Sequence, residues 1–67
     1  MYQIQADWDP EAGVWVATSA DVPGLVTESE TLETLTEKLR TMIPELLLAN
    51  GLTESVDQAI RFELIPT

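Results

Sequence analysis

The chain has 67 residues, with twelve carboxylates against three basic residues, a formal net charge of −9, no cysteine and no histidine. That length suffices for one small domain and no more. The composition leaves no disulfide framework, no thiolate or imidazole metal site and no histidine general base. Nucleic-acid binders neutralise phosphates with clustered Lys and Arg. Lys38, Arg40 and Arg61 cannot supply such a cluster here, and an anionic membrane surface is disfavoured for the same reason. A basic protein partner would be attracted. The bland reading of the charge is that a small acidic domain stays dispersed.

The N-terminal MYQIQADWD has no basic region followed by an apolar core, so no signal peptide is expected, and no apolar run approaches a membrane span. A cytoplasmic location is the expectation.

Residues 2 to 8 alternate strictly, with Tyr2, Ile4, Ala6 and Trp8 on one face and Gln3, Gln5 and Asp7 on the other. Asp9-Pro10-Glu11-Ala12-Gly13 follows as a turn. Val14 to Thr18 is rich in β-branched and aromatic residues, and the two runs read as a hairpin. Val14 and Val16 are expected on one face, Trp15 and Ala17 on the other. Asp21-Val22-Pro23-Gly24 reads as a structural turn, and Leu25-Val26-Thr27 as a short third strand.

Thr31 suits a helix N-cap, with Ser29 as its rival. Leu32, Leu35, Leu39, Met42, Leu46 and Ala49 then form one apolar stripe, widened by Ile43 and Leu47. Pro44 either kinks this helix or separates two; the stripe continues in phase, which favours one kinked helix. Asn50-Gly51 stops it. Residues 52 to 58 read as a polar loop. Ile60, Phe62 and Leu64 alternate with Arg61, Glu63 and Ile65, and Pro66 ends this last strand.

The expected fold is therefore α+β: a two-layer β-β-β-α-β domain over residues 1–67, with a small, mostly antiparallel sheet packed on one helix. Strands on either side of the helix are expected to run parallel. The open face of the sheet is expected to carry Trp15, with Trp8 beside it by register, among polar residues; the alternative is that both tryptophans are core, which suits Trp8 at least as well. Trp15 and Leu48, the latter off the helix stripe, are the candidate partner anchors.

Asp7, Asp9 and Asp21 form a weak carboxylate set that could hold Mg²⁺ for phosphoryl chemistry. Such residues are ordinary turn composition. Serines and threonines are present, but the usual activating base is missing. No catalytic residue, cofactor or metal is assigned, and the chain is not expected to be an enzyme.

The run GVWVATSADVPGLVTES followed by TLETLTEKLRTMI resembles the HicB family of antitoxins, and especially its short single-domain bacterial members. Asp21, Pro23, Gly24, Thr31, Leu32 and Glu33 match its pattern of D-x-P-G turn, short strand, cap and helix. The resemblance implies a domain similar to a truncated ribonuclease H-like fold without its catalytic carboxylates. It also implies binding and neutralisation of a small basic RNA-cleaving toxin, HicA-like in type. Leu25 stands where the family usually has cysteine. Most HicB antitoxins add a C-terminal DNA-binding domain, and no such separate domain is expected in this chain. Its expected partners are a basic protein and a second copy of itself. The alternative is a stand-alone self-associating domain with no toxin.

Overall fold

A strand whose polar side chains all point one way must turn that side to solvent, and this decides the orientation of the whole sheet. In the computed structural model, which describes residues 1–53 and 60–67, the first strand is β1 (Tyr2–Asp9). Ile4 and Ala6 are fully buried, whereas Gln3, Gln5 and Asp7 are exposed. β2 (Val14–Thr18) returns antiparallel, pairing Ala17 with Ala6, Val16 with Asp7 and Trp15 with Trp8. β3 (Val26–Ser29) pairs antiparallel with β2, and β4 (Phe62–Pro66) pairs parallel with β1. The strand order is β3-β2-β1-β4.

Among the described residues a single helix, α1 (Leu32–Ala49), covers one face of this sheet. Thr31 is its N-cap, its hydroxyl accepting the Thr34 amide at 3.1 Å. The Ser29 hydroxyl instead hydrogen-bonds the Thr34 side chain. α1 runs on through Pro44 without breaking into two. At its end the Leu52 amide donates to the Leu47 carbonyl (2.8 Å) and the Gly51 amide to that of Leu48 (3.1 Å), with Gly51 at φ +70°. This pair of bonds is the Schellman closure expected of a left-handed glycine.

The core consists of Ile4, Ala6, Ala17, Val22, Leu25, Leu35, Leu39, Ile43 and Leu47. Ala6 and Ala17 are partners at the middle of the sheet, and their small side chains let α1 approach closely. On the helix the most buried line is Leu35, Leu39, Ile43 and Leu47. Leu32, Met42 and Leu46 flank it, while Ala49 is exposed. The stripe read from the sequence is thus rotated slightly around the helix, toward Ile43 and Leu47 and away from Ala49.

One expectation about faces is corrected. Trp15 lies on the helix-covered side with Ala17, and Trp8 opposite it on that same side with Ile4 and Ala6, neither of them on the open side. Alternation alone could not choose, since Val14 and Val16 are as apolar as Trp15 and Ala17. The register chooses: Val16 is paired with Asp7, and turning that row inward would desolvate Gln3, Gln5 and Asp7 under the helix. The open face carries Val14, Val16, Val26 and Ile65 among Gln3, Gln5, Asp7, Glu28 and Glu63. The third strand begins one residue later than expected, because Leu25 is buried at the end of the preceding turn. Of the loop expected over 52 to 58, residues 54 to 58 lie outside those described.

Candidate interaction site

Each carboxylate singled out in the sequence has a structural post. Asp9 Oδ1 accepts the Glu11 and Ala12 amides at 3.1 and 3.3 Å, closing the hairpin loop. Asp7 takes the hydroxyl of Thr67. Asp21 Oδ2 accepts the Gln3 amide at 2.9 Å. That contact sits four residues along β1 from Asp7, which is about 13 Å of strand. The three are not brought together, and no group of three or more acidic side chains that could hold a metal ion occurs among the described residues.

The turn that follows Asp21 spans Val22 to Leu25. The Leu25 amide donates to the Val22 carbonyl at 3.2 Å, with Pro23 and Gly24 between them and Gly24 at φ +82°. Proline followed by a positive-φ glycine is the type II arrangement. Val22 and Leu25 anchor the turn in the core. The Asn50 side-chain amide, at the C-cap of α1, donates to the Pro23 carbonyl at 3.3 Å. Asp21, Pro23 and Gly24 therefore hold a corner of the fold.

The two candidate anchors are separated. Leu48, 43% exposed, lies in the last turn of α1, whereas Trp15 lies near its first turn. Sixteen residues of helix between Leu32 and Leu48 correspond to about 24 Å. They do not form one site.

Around Trp15, however, the structure assembles a surface that the sequence marked only in part. Trp8 and Trp15 are directly opposed across β1 and β2, with ring centroids 5.4 Å apart and planes tilted by 58°. This tilted contact is favourable for aromatic pairs. Trp15 packs against the core, and Trp8 remains 46% exposed. The pair, with Leu32, Thr31, Glu30 and Glu33, lines a shallow concavity at the start of α1. Glu30, Leu32 and Glu33 were not read as site residues. Their link to the Trp pair is a chain reversal between β3 and α1, for which residue spacing carries no signal. The opposition of Trp8 and Trp15 could be counted from the hairpin, since Asp9 and Val14 close its loop.

None of the basic groups lines this concavity, although Lys38 shares an adjoining groove with Glu30 and Thr31. Lys38 Nζ donates to the Glu28 carbonyl at 2.5 Å, pinning α1 to β3. Arg40 stands 3.9 Å from Glu37, and it lines a groove with Arg61, Thr36 and Phe62 on another part of the surface. No described helix is long and apolar enough to cross a membrane.

Fold and surface together define a small α+β domain: a four-stranded mixed sheet, one covering helix and an acid-rimmed aromatic patch. The chain belongs to the family DUF1902, a domain of unknown function, whose model matches residues 1–66. It is 52% identical to a hypothetical protein of known crystal structure from the extremely thermophilic bacterium Thermus thermophilus. That likeness has a TM-score of 0.78 and covers 98% of this chain and 87% of the other. No curated protein matches the chain.

Proposed function

We propose that this chain is a non-enzymatic protein-interaction domain, resembling the toxin-binding part of a HicB-type antitoxin, that neutralises a small basic RNA-cleaving protein. The observation that carries the reading is the half-exposed Trp8–Trp15 pair, rimmed by Glu30 and Glu33 on a chain of net charge −9. Aromatic side chains on a surface are frequent hot spots, and an acidic field steers a basic partner toward them. The D-x-P-G turn and helix cap that carry the HicB resemblance support it too: the turn is used for structure, and Thr31, Leu32 and Glu33 of the cap segment line the Trp concavity.

The test is affinity purification from the native cell. The expected result is stoichiometric recovery of a short basic protein whose ribonuclease activity falls when this chain is added back. Its gene should lie beside the one for this chain. Recovery of this chain alone would instead favour a stand-alone self-associating domain. That second reading is favoured by the open sheet face, where Val26 is 70% exposed and Ile65 36%. Sedimentation at micromolar concentration reads it out, as a dimer or larger species.

A further inference from the structure

We propose that the concavity of Trp8, Trp15 and Leu32 is an arginine-recognition site, in which a partner protein's guanidinium stacks on the Trp8 indole and donates to Glu30 and Glu33. The proposal rests on the protein-interaction reading and names the chemistry of its contact.

The geometry supplies both halves of such a site. Trp15 backs Trp8 at 5.4 Å, holding the Trp8 indole in place while that residue remains 46% exposed and lines the concavity. Cations are drawn to the face of an indole ring, and Trp is the best of the aromatic acceptors. Glu30 and Glu33 line the same concavity, which has no basic side chain in its lining. Neither carboxylate has an ion-pair partner among the described residues. The start of α1 contributes about half a positive charge, which opposes a cation. Two carboxylates outweigh it, so the net field of the concavity is negative.

Charge also selects among occupants. A phosphate or nucleic-acid backbone would meet Glu30 and Glu33. A second copy of this chain would bring its own nine negative charges in excess. A basic protein segment meets neither obstacle. Arginine suits the site better than lysine, because its planar group stacks on an indole and forks to carboxylates at the same time.

The full chain, ¹⁵N-labelled, should be titrated with a capped Gly-Arg-Gly-Arg-Gly peptide and with its lysine and citrulline counterparts. The arginine peptide is expected to shift both indole N–H signals together with the amides of residues 30 to 33. The lysine peptide should bind more weakly and the citrulline peptide not at all. Trp8→Leu should weaken arginine binding about fivefold, with recovery in Trp8→Tyr. The pair Glu30→Gln and Glu33→Gln should weaken it about tenfold, whereas Glu45→Gln with Glu63→Gln leaves it unchanged. Shifts scattered over the acidic surface with unmoved indole signals would overturn the site. So would equal weakening by the control pair, or a dimer that Trp8→Leu dissolves, which would assign the face to a second copy. Capture of a basic partner whose affinity ignores Trp8→Leu would remove this site and leave the interaction reading standing. Arginine-peptide binding with no partner recovered would do the reverse.

Discussion

The carboxylate of Asp21 holds the backbone amide of Gln3 at 2.9 Å, across eighteen residues of sequence. β2 pairs with β1 only from Gln5 to Asp9, so Gln3 has no residue of β2 opposite it. Side chains replace the missing backbone. The Ser19 hydroxyl donates to the Gln3 carbonyl at 2.6 Å and accepts the Asp21 amide at 3.0 Å. Ser19 and Asp21 thereby prolong the sheet by one rung, and on its other edge Gln3 pairs with Glu63 of β4.

Asp21→Ala should destabilise the domain by about 1 kcal/mol, the scale of one exposed charge-assisted hydrogen bond after solvent competition. In a domain this small that lowers the thermal midpoint by about 5 °C. Asp21→Asn keeps an acceptor oxygen and should lose less. Thermal unfolding followed by circular dichroism separates the two, and equal loss would mean that the charge rather than the bond matters.

Gly24→Ala tests backbone strain apart from space. A Cβ at this position would meet the Leu46 side chain at 3.9 Å, an ordinary contact. With φ at +82°, alanine should still cost about 1–2 kcal/mol. Urea unfolding should show the loss as a lower midpoint with an unchanged slope.

Pro44→Ala should stabilise the domain. The proline leaves α1 continuous but removes an amide that would otherwise bond the Arg40 carbonyl. The gain is bounded by about 3 kcal/mol, the helix-interior difference between the two residues. An unchanged or lower midpoint in calorimetry would show that packing of the half-buried ring outweighs the lost bond.

The Trp8–Trp15 contact should appear as a coupling of about 1 kcal/mol in a double-mutant cycle with Trp8→Ala and Trp15→Ala. Trp15→Ala should be the costlier single change, because Trp15 packs against the core while Trp8 is the more exposed. Additive effects within a few tenths of a kcal/mol would mean that the rings contribute separately.

Leu39→Ala should cost about 2–5 kcal/mol, since Leu39 is fully buried at the centre of the helix line. Natural domains carry roughly 0.05–0.15 kcal/mol of stability per residue, about 3–10 kcal/mol for this chain, so the variant is expected to lose a large share of its stability and to unfold at a clearly lower midpoint. A cooperative transition near the parent midpoint would contradict the central placement of this side chain.

Local physics made most of the elements legible. Strict alternation marked β1, a looser alternation read from Ile60 marked β4 (which starts at Phe62 and includes Pro66), and the spacing of leucines marked α1. Thr31, Asn50 and Gly51 marked its ends through hydroxyl capping and positive φ. Pro23 and Gly24 marked the turn, because proline fixes its own φ and glycine permits a positive one. These signals lie within a few residues of one another, so spacing and residue type carry them.

Which face of β2 lies under the helix was decided by pairing with β1, whose polar residues cannot be turned inward without loss of hydration. The separation of Trp15 from Leu48, the dispersal of Asp7, Asp9 and Asp21, and the meeting of Trp8 with Glu30 and Glu33 follow from strand order and the path into α1. Those are contacts between distant segments, selected by burial of the whole core. The sequence by itself determined the α+β elements and their caps; tertiary packing alone decided which side chains share a surface.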